Sequence, residues 1–139
     1  MAFRPFLFFG GNCRDAFTRY KEIFGGELAL LMMKDAPGDE PPPPEQAELI
    51  VHAALTLGDD FLMGSDDPIN PDFGSVQGMQ VSYDASDVAD ANRVFDALAE
   101  GGKINQPLIP TFFSAAFGMC VDRFGTPWMI VAPEVDTPA

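Results

Sequence analysis

The stretch NCRDAFTRYKEIFGGELALLMM, residues 12–33, reads in one pass as a helix, a stop and a strand. Asn12 opens it as a capping residue, and Asp15 stands at the third helical position. Ala16, Phe17, Tyr20, Ile23 and Phe24 form one apolar stripe at helical spacing. Gly25-Gly26 supplies a left-handed exit, and Glu27 to Met33 continues as an apolar strand. The same plan returns at residues 86–110. Ser86 opens it, and Val88, Ala91, Phe95 and Leu98 share one face. Asp84, Asp87 and Asp90 lie near the N-terminus, where the helix dipole favours them. Gly101-Gly102 stops the helix, and Lys103 to Pro110 extends. Each copy is followed by two apolar runs joined by a turn, Leu49–Leu57 with Phe61–Ser65 and Ala115–Val121 with Pro127–Val131. Leu57 to Phe61 reads as a tight hairpin and Asp122 to Pro127 as a longer one. The expected fold is α+β: two βαβββ modules in tandem, approximately residues 1–70 and 71–139, forming a curled mixed sheet around a cavity.

At 139 residues the chain is one domain by length. With 47% hydrophobic residues and 13 Phe it holds enough apolar material for a core without staples. The net charge is −13, and eight scattered Lys and Arg cannot make a phosphate-binding surface, so nucleic acid is excluded as a partner. An acidic surface also repels anionic membranes. No run approaches the ~18 apolar residues of a membrane span. The apolar run Phe6–Phe9 lacks the basic flank and length of a signal peptide, so a soluble cytoplasmic protein is expected. Two cysteines far apart in sequence allow one disulfide but do not suggest a disulfide framework.

One segment stands apart. Ala36-Pro37-Gly38-Asp39-Glu40 followed by Pro41 to Pro44 suits neither helix nor central strand. Residues 36–46 are expected to form a mobile, solvated loop between the second and third strands, in preference to a proline-rich ligand for a partner domain.

Phe6 to Tyr20 (FLFFGGNCRDAFTRY), the run FLMGSD at Phe61–Asp66 and above all TFFSAAFGMCVDRFGTPWMIV at Thr111–Val131 resemble the PhnB-like proteins. These belong to the vicinal-oxygen-chelate superfamily, with the glyoxalases, bleomycin-resistance proteins and extradiol dioxygenases. The resemblance covers almost the whole chain apart from residues 36–46. Some members carry a demethylubiquinone methyltransferase label, which is not expected here, since there is no glycine-rich strand-to-helix turn of the kind that holds S-adenosylmethionine. The resemblance implies a homodimer. It also implies a divalent metal held by His and Glu at four strand positions, which fall here on Pro5, Met63, Gln80 and Met129. Proline offers no donor and thioethers suit Cu(I) rather than Ni, Zn, Mn or Fe. No metal and no other cofactor is therefore expected.

Other candidates are weaker. Asp59, Asp60, Asp66, Asp67 and Asp72 cluster in sequence without calcium-loop spacing and read as turn residues. His52, the single histidine, lies mid-strand. A structural role in or near the core is favoured, with ligand orientation or general-base chemistry as the functional alternative. Cys13 sits at a helix start, where the dipole can lower a thiol pKa, but packing is the preferred reading. Cys120 reads as a core thiol. Met63, Met129, Trp128, Phe112, Phe113 and Phe117 read as core or as the wall of an apolar pocket, with Gln80 able to orient a ligand.

The resulting expectation is a metal-independent small-molecule-binding protein with His52, Met63, Gln80, Phe113, Phe117 and Met129 as ligand-binding residues. Its partner is an unknown small molecule of apolar or aromatic character. A metal-free isomerase or lyase using His52 as base is the alternative. A protein-interaction module resting on the acidic surface and proline loop is a third.

Overall fold

The computed structural model describes residues 1–38, 40–67 and 76–133. The chain divides into two compact units, Met1–Gly74 and Ser75–Ala139. Each has one helix and one four-stranded sheet.

In the first unit, β1 (Phe6–Phe9), α1 (Cys13–Phe24), β2 (Glu27–Met32), β3 (Ile50–Leu57) and β4 (Asp60–Asp66) follow one another. The sheet order is β1-β4-β3-β2, with β1 parallel to β4 and the other pairs antiparallel. In the second unit, β5 (Val81–Asp84), α2 (Val88–Ala99), β6 (Lys103–Ile109), β7 (Phe117–Val121) and β8 (Pro127–Val131) repeat that order as β5-β8-β7-β6. Again the first strand is parallel to the last. The expected pair of βαβββ modules is what the chain forms.

Each helix buries its stripe on one face of its own sheet. Cys13, Ala16, Phe17, Tyr20 and Ile23 of α1 are buried, and Phe17 packs edge-on against Phe9 and Tyr20. On α2 the buried set is Ala91, Val94, Phe95 and Leu98. Val88, expected on that face, is exposed, and Val94 takes its place. Small strand residues let the helices approach. A Cβ on Gly64 would lie 2.8 Å from the Phe17 ring, and one on Gly118 2.9 Å from Phe95.

The helix starts differ from the sequence reading. Asn12 occupies the position before α1, but its side chain makes no capping bond. Asp66, at the far end of β4, does the work instead. Its Oδ1 accepts from Gly11 N at 3.0 Å and Cys13 N at 2.9 Å, and its Oδ2 accepts from Ile50 N at 2.8 Å. One buried carboxylate thus ties β1, α1, β3 and β4 together. Asp66 is therefore not a turn residue; Asp59 is, and Asp72 lies outside the described residues. In α2 the cap is Asp87 rather than Ser86, its Oδ1 accepting from Asp90 N at 2.7 Å. Asp90 in turn accepts from Tyr83 Oη, Ser86 N and Arg93. Partial burial opposes ionisation of Asp90, yet those hydrogen bonds hold its carboxyl below the usual range. Burial, then the bond to Asp90, pushes the Tyr83 phenol up to about 12.

The proline segment is more structured than expected. Pro44–Gln46 forms one 3-10 turn, allowed because a proline at the first helical position loses no needed N–H. Lys34 N to Ala47 O and Met33 N to Leu49 O then bind its two ends together. Asp39 lies outside the described residues.

The β7–β8 hairpin is locked by Asp122. Its Oδ1 accepts from Phe124 N and Thr126 N, and its Oδ2 from Trp128 Nε1 at 2.9 Å. The Asp122–Trp128 signature is therefore a folding device, with Trp128 buried on the helix side.

Candidate functional site

With the helix on one side, alternation leaves a second, helix-free face on each sheet. Strand registers sort the candidates onto it. In the first unit Phe6, Met63, Ala54 and Ala29 form one rung across β1, β4, β3 and β2. In the second, Ser82, Met129, Met119 and Gln106 form the corresponding rung across β5, β8, β7 and β6. Met63 and Met129 thus hold equivalent positions, as the repeat implied. The registers set Phe6 and Ser82 beside these methionines. Pro5 and Gln80 stand just before their strands, Pro5 offering only its carbonyl to Met63 N.

The face of the first sheet is aromatic at one edge. Phe6 and Phe8 are tilted together with ring centroids 5.1 Å apart, and both are exposed. The Arg4 guanidinium covers Phe61 at 4.5 Å. His52 pairs with Leu31 and is exposed, its ring 6.2 Å from Phe6. A core histidine is therefore excluded: His52 and Ala54 alternate with the buried Ala53 and Leu55 and face away from α1. Among the described residues no hydrogen bond orients its imidazole.

On the second sheet, Gln80 Nε2 donates to Met119 Sδ at 3.3 Å. This places the amide on the same face as Met129. Phe117 stands one rung away, and Phe113 meets it edge-on at 5.3 Å. Phe113 is 42% exposed and Phe112 91%, so neither fills the core. His52 and Met63 are therefore together on one helix-free face, and Gln80, Phe117 and Met129 on the other, with Phe113 at its rim. Sequence periodicity did not single out Phe6, Phe8 or Met119. Their parity relative to Met63 and Met129 was the available signal.

The cysteines are inert. Cys13 is fully buried; burial first, then the Asp66 charge, pushes its thiol up to about 12. The helix dipole does not prevail there. Burial and Asp122 push Cys120 up to about 11. Both folded pKa values lie above the usual thiol value, so the native state keeps protons that the unfolded chain releases. The linked stability is intact below about pH 9 and is lost as pH climbs toward 11–12. Urea midpoints under reducing conditions should therefore fall above pH 9, and Cys13→Ala should flatten that decline. An equally steep decline in the variant would show that Cys13 does not contribute.

The donor set does not suit a divalent ion. The four strand positions offer two thioethers with a phenyl ring or proline, and a hydroxyl or amide. Among the described residues no group of three or more His, Cys, Asp or Glu could hold a metal ion. Contrary to expectation, a glycine pair does stand in the strand-to-helix turn, Gly10-Gly11 between β1 and α1. Yet Gly11 N and Cys13 N are already taken by Asp66, so the helix start is not left open for an anionic ligand group. No helix among the described residues is long and apolar enough to cross a membrane.

Two such βαβββ modules define a protein of the glyoxalase, or vicinal-oxygen-chelate, fold. More narrowly, the model of the family described as 3-demethylubiquinone-9 3-methyltransferase matches residues 1–131, and the chain belongs to that PhnB-like family. It is 34% identical over 140 residues to Protein YjdN of Escherichia coli K12, covering 94% of each chain. Protein PA1353 from Pseudomonas aeruginosa is 40% identical, with TM-score 0.84 over 97% of this chain and 99% of that one. The PhnB protein from Bacillus cereus is 26% identical, with TM-score 0.76 over 95% and 99%. The fold alone is shared with a variant of the fosfomycin resistance protein FosX from Listeria monocytogenes. That protein is 7% identical, with TM-score 0.65 over 98% and 94%, and is complexed with Mn(II) and a dihydroxypropylphosphonic acid.

Proposed function

We propose that this chain is a small-molecule-binding protein that takes an apolar or aromatic molecule on a helix-free sheet face, without a resident divalent metal. The observation that carries the reading is the matched pair of rungs, Phe6·Met63·Ala54·Ala29 and Ser82·Met129·Met119·Gln106. A FosX variant shows that this fold accommodates Mn(II). Here the corresponding strands present thioethers and rings, which favour soft contact with an apolar ligand over ion coordination. Gln80, whose amide rests on Met119, supplies a polar group that would orient it. Nothing at the Gly10-Gly11 turn supports methyl transfer from S-adenosylmethionine.

Nile red, a neutral dye, is the test ligand. It should bind the native protein with blue-shifted emission. Met129→Glu should weaken binding at least tenfold while circular dichroism stays unchanged, because a carboxylate cannot be desolvated cheaply against an apolar ligand. Unaltered binding would remove Met129 from the site. Elemental analysis of protein purified without chelator or affinity metal should find no stoichiometric divalent ion. One metal per chain would overturn metal independence.

The His52 isomerase or lyase reading gains little, since a general base needs a partner that sets its tautomer and direction. His52→Ala should change Nile red affinity less than twofold. The proposal includes a homodimer, a two-fold pair being the commonest form of assembly; sedimentation equilibrium giving a monomer at micromolar concentration would reject it.

A further inference from the structure

The helix-free face of the second sheet carries its charges asymmetrically. One rung runs Asp84·Val131·Phe117·Ile109 across β5, β8, β7 and β6. Asp84 shares this face because its neighbour Tyr83 points to α2, where its hydroxyl donates to Asp90. Two strand spacings, about 10 Å, separate Asp84 from Phe117. The other charged side chain on the strands of this face is Lys103, opposite Val121. It lies four residues along β7 from the Phe117 rung, about 13 Å away. The rim at the Asp84 end is aromatic. Phe117, Phe113 and Phe112 form an edge-to-face series with centroids 5.3 and 5.2 Å apart. Their loop is ordered from within: Thr111 Oγ1 accepts from Phe113 N and Ser114 N, and Thr111 N donates to Ser114 O. The buried Ser114 hydroxyl reaches the Ala116 and Ala132 carbonyls at 2.8 and 2.7 Å. The backbone that carries the exposed rings is thus fixed before any ligand arrives, which lowers the ordering cost of binding.

From this juxtaposition we infer that the second sheet's open face takes a planar aromatic cation. The inference rests on the small-molecule reading above and names its ligand class. Ring faces attract both a flat π system and a positive charge. Asp84 supplies the counter-charge on the same rung, and the chain's net charge of −13 works in the same direction. Met129 and Met119 provide a polarizable floor one rung further on.

Three probes of one shape separate the contributions: 2-naphthylmethylammonium, 2-naphthylmethanol and 2-naphthylacetate, titrated by ligand-observed NMR at low ionic strength. The ammonium should bind about tenfold tighter than the alcohol, and the acetate most weakly. Asp84→Asn should remove most of the ammonium's advantage over the alcohol, and Phe113→Ala should weaken both about tenfold with circular dichroism unchanged. Equal affinities in the native protein would overturn the inference, as would a preference that Asp84→Asn leaves undiminished. Binding of 1-octanol and Nile red without any naphthyl probe would leave the small-molecule reading standing and remove this one. Failure of every probe would remove both.

Discussion

Asp66→Ala should lower the unfolding free energy by about 3–5 kcal/mol, enough to consume much of a typical domain's stability. The carboxylate is 4% exposed and accepts three backbone N–H bonds, from Gly11, Cys13 and Ile50. Alanine removes both acceptor oxygens, and with them all three bonds, and leaves those donors with no replacement in the protein. The cost of an unmade bond is that of desolvating the stranded group, which exceeds the net gain from making it. Asp66→Asn is the informative control. Its one carbonyl oxygen can keep Gly11 and Cys13 while its amide faces Ile50 N, so about half the loss should remain. Urea unfolding of the three proteins should rank native, Asn, Ala. If the alanine variant lost less than about 1 kcal/mol, comparable to one ordinary hydrogen bond, the carboxylate would not be the tie that its geometry describes.

That residue also marks where a linear reading stops. Helical periodicity and the double glycines located both helices, and the turn residues separated the strands, because these signals act within a few residues of one another. Asp66 caps a helix that begins 53 residues earlier, and nothing near Asn12 announces it. A residue of capping type at Asn12, whose side chain makes no capping bond, hid the need for a distant one. Asp122 was equally silent, since its partners Thr126 and Trp128 looked like turn and core.

The candidate site was legible by residue type and not by face. Met63 and Met129 hold equivalent rungs because the two halves share one plan. His52 shows the difficulty. A lone histidine between Val51 and Ala53 looks interior, yet strand alternation puts its even-numbered position opposite Leu31 on the helix-free side. Deciding between the two faces needs the helix to be placed, and only tertiary packing does that. Phe112 and Phe113 misled for a related reason. Aromatics usually pack inward, but here the hydrogen bonds of Thr111 and Ser114 hold them at the surface.

Gly26→Ala and Gly102→Ala should each destabilise the protein by about 4 kcal/mol or more, whereas Gly25→Ala and Gly101→Ala should cost about 1–3 kcal/mol. All four belong to the repeated double-glycine stops, yet the two members of each pair serve different ends. Gly25 and Gly101 have φ of 76° and 75°, with no atom closer than 3.4 Å to an added Cβ; their substitution costs backbone strain. Gly25 is not the left-handed helical residue expected, since its ψ is −148°. The second glycine of each pair meets backbone. A Cβ on Gly26 would lie 2.2 Å from the Thr56 carbonyl oxygen, and one on Gly102 2.1 Å from that of Val121. The equivalence is exact in register: Glu27 pairs with Thr56, and Lys103 with Val121. In both modules the chain leaving the helix passes directly against the third strand, on its way into the edge position of the sheet. A backbone oxygen held in a ladder cannot step aside as a side chain could. The clash therefore converts into lost pairing between the second and third strands. Gly26 adds a φ of +80°, so it should be the worse of the two sites. Thermal and urea unfolding of the four single variants decides the matter. Similar losses within each pair would mean that the double glycine is only a helix stop, and that the close approach of the strands is relieved by a small shift.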